Sequence, residues 1–176
     1  FSVVVDYAHT PDALRKVYQT LRLPAGKKSD FFGDLKSDFK EAGGRLICIL
    51  GTAGGGRDKW KRPEMGRIAA EFCDEIILTN EDPYDEKPED ILKAIEAGLS
   101  QFPISNFQFP SKSKIPNYKK ILDRREAIRE SLKSAKSGDV VIITGKGAEP
   151  WIMGPNGSKT SWDDREVARD ELKQLH

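Results

Sequence analysis

Four short apolar runs alternate with segments of helical period along this chain. The runs are rich in Val, Ile or Leu and lie at Ser2–Asp6, Leu46–Leu50, Glu75–Thr79 and Asp139–Thr144, with a weaker candidate at Phe107–Phe109. Runs of this length and composition predict buried strands. Apolar residues recur at helical spacing between and after them, in the stripes Leu14–Leu21, Met65–Phe72, Ile91–Leu99 and Val167–Leu175. The chain is therefore predicted to alternate strands with amphipathic helices.

Prolines and a capping pair agree with this pattern. Pro11, Pro63 and Pro88 each stand at the predicted first position of a helix, where the missing N–H has no cost. Asp123 and Glu126 have the spacing of a capping box for a further helix. Strands joined by helices predict an α/β fold with a mainly parallel sheet of about six strands, covered by helices on both faces.

Two stretches interrupt the alternation. Leu23–Arg45 is long for a connection from a helix to a strand, so we expect a short extra helix near Asp34–Glu41. Gln101–Tyr118 is rich in Pro, Ser and Lys and is expected to form a surface loop around the weak strand. Neither stretch resembles a linker, and residues 1–176 are predicted to form a single domain.

The composition is that of an ordinary globular protein. Of 176 residues, 38% are hydrophobic and 32% are charged, with a net charge of +1. The basic clusters are interleaved with acids, which disfavours nucleic acid as a partner. No apolar run approaches the roughly 20 residues that span a bilayer, so no membrane partner is expected. The two cysteines, Cys48 and Cys73, follow no disulfide or metal pattern and are predicted to be reduced thiols in the cytoplasm.

The segments that follow the predicted strands are polar or rich in glycine. They are Asp6–His9, Gly51–Lys59, Asn80–Tyr84 and Gly145–Glu149. In open parallel sheets, ligands bind beyond the carboxyl ends of the strands. These four loops are therefore the predicted functional edge.

The residues of these loops limit the kind of ligand. The glycines of GTAGGGRDK match neither common nucleotide-binding pattern, but Arg57 offers a planar cation suited to a carboxylate or phosphate. Asp82 and Glu149 place acids on two different loops, where they could hold a cation. Glu81 is a third acid on these loops, but for Glu81 alone the preference for acids near helix starts is the better explanation. Asp6 and His9 could hydrogen-bond a ligand, and together the residues indicate a small molecule with a carboxylate and an amine, without fixing a reaction.

The same segments, taken in order, resemble the C-terminal domain of Mur ligases, and within that family the MurE type, UDP-N-acetylmuramoyl-tripeptide synthetase. The resemblance extends over almost the entire chain. The motifs are DYAHTPD (Asp6–Asp12), GGGRDKWKRPEMG (Gly54–Gly66), TNEDP (Thr79–Pro83), DRREAI (Asp123–Ile128), GDVVIITGKGAE (Gly138–Glu149) and WDDREVAR (Trp162–Arg169).

The resemblance implies a Rossmann-like fold and an ATP-dependent reaction. In this family ATP phosphorylates the terminal carboxylate of a UDP-linked muramoyl peptide, and the amine of an amino acid attacks the acyl phosphate during peptidoglycan synthesis. By resemblance, three residues would contact the nucleotide: Asp6, His9 and Lys59. Four would bind the incoming amino acid: Arg57 at its carboxylate, Asp82 and Glu149 at its amino groups, and Gly145 through the backbone.

Departures from the family pattern bear on the substrate. Enzymes of this type that add meso-diaminopimelate carry Asp-Asn-Pro-Arg where this chain has Glu81-Asp82-Pro83-Tyr84. Tyr84 cannot replace the charge of an arginine, and Asp82 adds negative charge suited to a side-chain ammonium. Lysine, or another diamino acid with one carboxylate, is thus favoured over meso-diaminopimelate. Ala148 also replaces the histidine usual in the GKGAE motif.

The resemblance covers only one of the family's three domains. The N-terminal UDP-binding domain and the central ATPase domain, which holds most of the Mg²⁺, are not part of this sequence. Because Phe1 lies inside a strand-like run and no initiator Met precedes it, we expect a piece of a longer protein that does not ligate by itself. The alternatives are the same domain of cyanophycin synthetase or folylpolyglutamate synthase, or a free-standing module that binds an amino acid or nucleotide.

Overall fold

A five-stranded parallel sheet organises the fold. A computed structural model describes residues 1–22, 44–56, 58–100 and 116–175. The strands of this sheet are β1 (Ser2–Asp6), β2 (Leu46–Leu50), β3 (Glu75–Leu78), β4 (Asn117–Lys120) and β5 (Val140–Thr144). Their spatial order is β1-β5-β2-β3-β4, and every neighbouring pair is parallel. All five carboxyl ends therefore point to the same edge.

Helices cover both faces of this sheet. They are α1 (Pro11–Arg22), α2 (Lys61–Phe72), α3 (Pro88–Ser100), α4 (Arg124–Ser134) and α5 (Asp164–Lys173). Side chains alternate across β2, so that Leu46, Cys48 and Leu50 pack with α1, α2 and α3. Ile47 and Ile49 point to the opposite face and pack with α4 and α5. All five residues of β2, LICIL, are buried. Because both faces of this strand are covered, its sequence is a continuous apolar run without alternating polar residues.

The predicted helix starts are mostly confirmed. Helices α1 and α3 begin at Pro11 and Pro88, whereas α2 begins at Lys61, two residues before Pro63. Asp123 caps α4, because its Oδ1 accepts the Glu126 N–H at 2.8 Å. No described helix has the length and apolar character required to cross a membrane.

The strand prediction is partly wrong. The parallel sheet has five strands among the described residues instead of about six, and β4 lies at the end of the stretch predicted as a surface loop. All four β4 side chains are exposed, so this edge strand carries no apolar signal. A separate antiparallel hairpin, β6 (Trp151–Met153) with β7 (Lys159–Ser161), is too short to show a period. The weak strand Phe107–Phe109 and the extra helix Asp34–Glu41 lie outside the described residues, as does most of Leu23–Arg45.

The prediction of reduced cysteines is also wrong in this structure. Cys48 and Cys73 form a disulfide, with their Cα atoms 6.0 Å apart. Cys48 lies in β2 and Cys73 directly follows α2, so the crossover through α2 brings two residues 25 positions apart into contact. The pair is formed by the three-dimensional connection of the sheet, which linear spacing does not show.

Candidate functional site: a pocket at the carboxyl edge of the sheet

Loops that follow four of the parallel strands meet at one edge of the sheet. The Gly54 N–H, after β2, donates to the Asp82 carbonyl, after β3, at 2.6 Å. Lys146, after β5, donates to the Asp82 carboxylate, and Tyr7, after β1, donates to Glu149. The prediction that these loops form one edge is confirmed.

The loops enclose a cavity of about 260 Å³. Its walls combine backbone of the glycine-rich loop with aromatic and charged side chains, from Tyr7, His9, Ala53, Gly54, Asp58, Lys61, Glu81, Asp82, Tyr84, Gly145 and Glu149. Among the described residues, no group of three or more His, Cys, Asp or Glu side chains could hold a metal ion. A small, largely polar cavity of this kind suits a ligand with several charged groups.

Several predicted site residues lie together in this cavity. His9, Asp82, Gly145 and Glu149 line it, and the ligand that each of them contacts stays a prediction. Lys59 is not among the lining residues, because its ammonium pairs with Glu86 at 3.3 Å. Arg57 lies outside the described residues, so its place at the ligand carboxylate stays a prediction.

The loop after β1 is ordered by its own polar side chains. The Asp6 Oδ1 accepts the Ala8 N–H at 2.8 Å and so closes a tight turn. The His9 Nδ1 lies 2.9 Å from the Tyr7 carbonyl. A carbonyl can only accept, so Nδ1 carries the proton and Nε2 is left as an acceptor in the neutral ring. This loop therefore brings one imidazole nitrogen of His9 to the cavity, whereas Asp6 is not among the residues that line it.

Lys146 is a site residue that the sequence analysis did not identify. Its side chain is 1% exposed, and its Nζ donates to Asp82 Oδ1 and Oδ2 at 2.9 and 2.8 Å and to Glu149 Oε2 at 2.6 Å. Burial lowers the pKa of Lys146, but the bonds to the two carboxylates outweigh it and raise the pKa. Lys146 therefore stays charged and neutralises part of the acidic pocket. The GKGAE motif contains this lysine, but only the fold shows that it points inward.

Glu81 is the second residue that sequence reasoning undervalued. It is 5% exposed, and its Oε2 is buried without a hydrogen-bond partner. Burial raises the pKa of Glu81 to about 7, with Arg124 opposing and Asp82 adding to the rise. A buried carboxyl oxygen without a hydrogen-bond partner is costly, so its presence beside a cavity marks Glu81 as a candidate ligand group.

Gly145 makes room for that carboxyl group. A Cβ at Gly145 would lie 2.3 Å from Glu81 Oε2, and the φ of Gly145 is +107°. Both the contact and the backbone conformation exclude a side chain. The glycine predicted to contact the ligand through its backbone is thus also required by the packing of Glu81.

The glycine-rich loop is fixed against the loop after β3. Arg62 is buried and donates through both terminal nitrogens to Glu86, at 3.0 and 3.1 Å. The Gly56 N–H donates to the same carboxylate at 2.6 Å. These bonds, led by those from Arg62, lower the pKa of Glu86 to about 2. A charged pair therefore fixes the loop after β2 to the loop after β3.

Two further motifs of the sequence meet in an ion pair behind the pocket. Arg124, from DRREAI, donates from Nε and Nη2 to the Asp164 carboxylate, from WDDREVAR, at 2.8 and 2.7 Å, and both side chains are fully buried. Arg124 also donates to the carbonyls of Asn80 and Thr144, at 3.2 and 2.9 Å. These motifs thus hold the ends of β3 and β5 together and position the loops that line the cavity.

By resemblance, Tyr84 stands where enzymes that add meso-diaminopimelate carry an arginine. It lines the cavity with a φ of 51°, and a Cβ at Gly55 would lie 3.3 Å from its ring. Its N–H donates to the Met153 carbonyl at 3.1 Å, which links the loop to the β6–β7 hairpin. Lys61 is the one lysine or arginine among the described residues that line the cavity.

Comparison with known proteins gives a consistent family. The family described as "Mur ligase, glutamate ligase domain" matches residues 1–147. The chain is 39% identical over 172 residues to the UDP-N-acetylmuramoyl-L-alanyl-D-glutamate–2,6-diaminopimelate ligase of Chlorobium phaeobacteroides, covering 98% of this chain and 28% of the relative. It is 41% identical over 174 residues to the ligase of the same name from Gloeobacter violaceus, covering 98% and 29%.

A solved structure agrees with these relatives. The structure of a UDP-N-acetylmuramoyl-L-alanyl-D-glutamate–2,6-diaminopimelate ligase superposes with a TM-score of 0.71 at 32% identity, over 99% of this chain and 30% of that one. The chain therefore spans less than a third of the length of the curated relatives it matches.

Proposed function

The chain belongs to the Mur ligase family through its glutamate ligase domain, and from that premise we propose that it binds the incoming amino acid for an ATP-dependent ligase of peptidoglycan synthesis. The observation that supports this role is the single cavity formed by the loops after β1, β2, β3 and β5. Because the relatives that match this chain are named as ligases, we assign the pocket to the ligase reaction. The reaction belongs to a longer protein, working in the cytoplasm with ATP and Mg²⁺.

The proposed mechanism divides the work between domains. The terminal carboxylate of UDP-N-acetylmuramoyl-L-alanyl-D-glutamate takes the γ-phosphoryl group of ATP, and the amine attacks the acyl carbon with phosphate as the leaving group. This chain holds the amine against the carbonyl, which is the advantage of proximity. Mg²⁺ and the phosphates are assigned mainly to the central domain, while Asp6 and His9 close over the nucleotide and Lys59 adds positive charge nearby.

The acidic wall is proposed to bind the amino groups of the substrate. Glu81, Asp82 and Glu149 converge on the cavity, and Lys146 pairs with both Asp82 and Glu149. Asp82 already accepts Lys146 and the Met153 N–H, so it acts mainly through its negative potential. Glu149 and Glu81 are the direct acceptors in this proposal, Gly145 contributes backbone groups, and Arg57 holds the substrate carboxylate.

A diamino acid fits this distribution of charge. Lysine is favoured by Tyr84, which offers no cation for a second carboxylate. Meso-diaminopimelate is the second candidate, because the relatives are named as diaminopimelate ligases and Lys61 lines the cavity.

The test is an assay of the full-length protein with ATP, the UDP-linked dipeptide, and lysine, ornithine or meso-diaminopimelate in turn. Formation of a UDP-linked tripeptide together with ADP and phosphate supports the function, and preference for a monocarboxylate supports the role given to Tyr84. Arg57→Ala should raise the KM for each amino acid roughly 30-fold, the loss of a charge-assisted bidentate pair. Absence of tripeptide with all three amino acids, in a protein that is folded and binds ATP, would refute the proposal.

A further inference from the structure

Glu149 is held from two sides by residues of its own chain. Its Oε2 accepts Lys146 Nζ at 2.6 Å, and its Oε1 accepts the Tyr7 hydroxyl at 2.7 Å. Lys146 continues the chain of bonds to both oxygens of Asp82. We call these four residues, Tyr7, Asp82, Lys146 and Glu149, the Lys146 cluster.

The Lys146 cluster joins loops that follow three different strands. Tyr7 belongs to the loop after β1, Asp82 to the loop after β3, and Lys146 and Glu149 to the loop after β5. Tyr7 also packs its ring against His9, with centroids 4.6 Å apart, and its carbonyl is bonded to the His9 imidazole. Tyr7 is thus the described residue that contacts both the imidazole proposed for the nucleotide and a carboxylate proposed for the amino acid.

The backbone of the loop after β5 is shaped to receive Tyr7. Gly147 has a φ of +54°, and a Cβ there would lie 3.3 Å from the Cβ of Tyr7. The tyrosine therefore packs directly on the glycine backbone, which limits its motion although half of its surface is exposed. This contact is independent of the hydrogen bond to Glu149 and favours the same position of the Tyr7 side chain.

We propose that Tyr7 is a positioning residue that fixes the Glu149 carboxylate for the amine of the incoming amino acid and joins the nucleotide loop to the amino-acid pocket. This inference rests on the proposed function and extends it to a residue with no assigned role. The Tyr7 hydroxyl supplies one donor and Lys146 supplies the other, so Glu149 keeps one orientation before the substrate arrives. Loss of either donor leaves the carboxylate free to rotate, which weakens amino-acid binding without touching the phosphates.

The protonation states agree with this arrangement. Burial alone would raise the pKa of Glu149, but the hydrogen bonds from Lys146 and Tyr7 outweigh it and lower the pKa. The pKa of Tyr7 is raised to about 12, chiefly by its bond to Glu149. At neutral pH the tyrosine is a donor and the glutamate is an acceptor.

The experiment compares Tyr7→Phe with wild type in the full-length ligase. Phenylalanine keeps the ring against His9 and Gly147 and removes only the hydroxyl. The KM for the amino acid should rise about 3- to 10-fold, with the KM for ATP unchanged, because one charge-assisted hydrogen bond is lost at a half-exposed site. Tyr118→Phe is the matched control, since the Tyr118 hydroxyl donates to Glu96 at 2.9 Å on the exposed edge strand β4.

A double-mutant cycle separates positioning from packing. In a Glu149→Gln background, Tyr7→Phe should change the KM for the amino acid less than twofold, because the acceptor that it orients has lost its charge. Where turnover is too slow, amino-acid affinity measured by calorimetry replaces the KM. An unchanged KM in Tyr7→Phe, or the same rise in both backgrounds, overturns the inference while leaving the ligase function in place. A wild-type protein that ligates no amino acid overturns both.

Discussion

Glu81 makes the stability of this fold depend on pH in a direction opposite to that of most carboxylates. Its pKa is about 7 in the folded chain against 4.5 for an ordinary glutamate. Between these values the folded chain binds more protons than the unfolded chain, so the free energy of unfolding falls as the pH rises. A gap of this size corresponds to about 3 kcal/mol.

Glu81→Gln should remove this dependence. From pH 4 to pH 8, the free energy of unfolding of the variant should rise by on the order of 3 kcal/mol relative to that of wild type. The measurement is urea denaturation of both proteins at both pH values. Any cost of burying the amide is the same at both pH values and cancels in the difference. The exposed Glu89→Gln in α3 controls for the loss of one carboxylate. Equal pH dependence in wild type and Glu81→Gln would contradict the assignment.

Tyr84 is the residue at which substrate preference should be switchable. Tyr84→Arg places a guanidinium at the cavity wall, where it can form a bidentate pair with the second carboxylate of meso-diaminopimelate. The ratio of kcat/KM for meso-diaminopimelate over lysine should rise at least about 10-fold in the full-length enzyme. The positive φ at this position is equally unfavourable for both residues, so stability should change little.

Tyr84→Phe is the control for this switch, because it removes the hydroxyl without adding charge. An unchanged ratio in Tyr84→Arg would show that another group selects the substrate. Lys61 would then be the first candidate among the described residues, since it lines the same cavity.

The residues of the site differ in how far the sequence predicts them. His9, Asp82 and Glu149 are predictable because their types and their places after strands both indicate ligand chemistry. Lys146 and Glu81 are not, because a lysine or glutamate on a polar loop is normally solvated, and their burial depends on contacts with two other loops. Sequence pattern reports the chemistry of single residues, whereas the pairing of charges across loops requires the fold.

Among the structural elements, the buried ion pair between α4 and α5 is the strongest candidate for a large effect on stability. Arg124→Met leaves Asp164 fully buried without its charged partner, which should cost about 3–5 kcal/mol in the free energy of unfolding. Arg124→Met combined with Asp164→Leu should recover much of that loss, because no unpaired charge remains. Urea denaturation of the single and double variants measures both effects.

A neighbouring pair supplies the control for this prediction. Arg165 and Asp163 also form a bidentate contact, but the Arg165 side chain is 52% exposed. Arg165→Ala should therefore cost less than about 1 kcal/mol. A loss in Arg124→Met no larger than in Arg165→Ala would show that the buried pair does not hold the two motifs together.

The disulfide between β2 and the end of α2 should stabilise the layer that carries the glycine-rich loop. Closing a loop of 25 residues is expected to contribute about 3 kcal/mol, so a reductant should lower the free energy of unfolding by that amount. Both cysteines are fully buried, so the native protein should resist reduction longer than the partly unfolded protein. Cys48→Ala with Cys73→Ala is the control that should not respond to reductant, and two free thiols in the denatured, unreduced protein would contradict the bond.

Elements are predictable from the sequence where burial imposes a pattern of apolar residues. Helix α1 repeats them at helical spacing, and β2 and β5 are continuous apolar runs because both of their faces are buried. The edge strand β4 and the hairpin β6–β7 fail this condition, since their residues are exposed or only partly buried and backbone hydrogen bonds hold the strands together. The disulfide is not predictable for another reason, because it depends on which elements become neighbours in the fold.

At the scale of the whole molecule, the sheet order explains why distant motifs form one site. Strand β5 lies between β1 and β2, so the loop that contains Lys146 is placed beside the loops of Tyr7 and of Gly54. Strand β3 borders β2 and brings Asp82 to the same edge. In a parallel sheet with this strand order, the four loops, which lie between residues 6 and 149, meet at one edge.

This chain by itself should not catalyse the ligation proposed for the whole protein. It spans 28% and 29% of two ligases that it resembles, and the function proposed above assigns the UDP site and most of the phosphate chemistry to other domains. The isolated chain should therefore form no tripeptide and hydrolyse no ATP when supplied with the UDP-linked dipeptide and lysine, whereas the full-length protein should do both. The measurement is tripeptide and phosphate release, with circular dichroism to show that the isolated chain is folded. Turnover by the folded chain alone would show that its own cavity assembles both substrates, and the division of work between domains proposed above would be wrong.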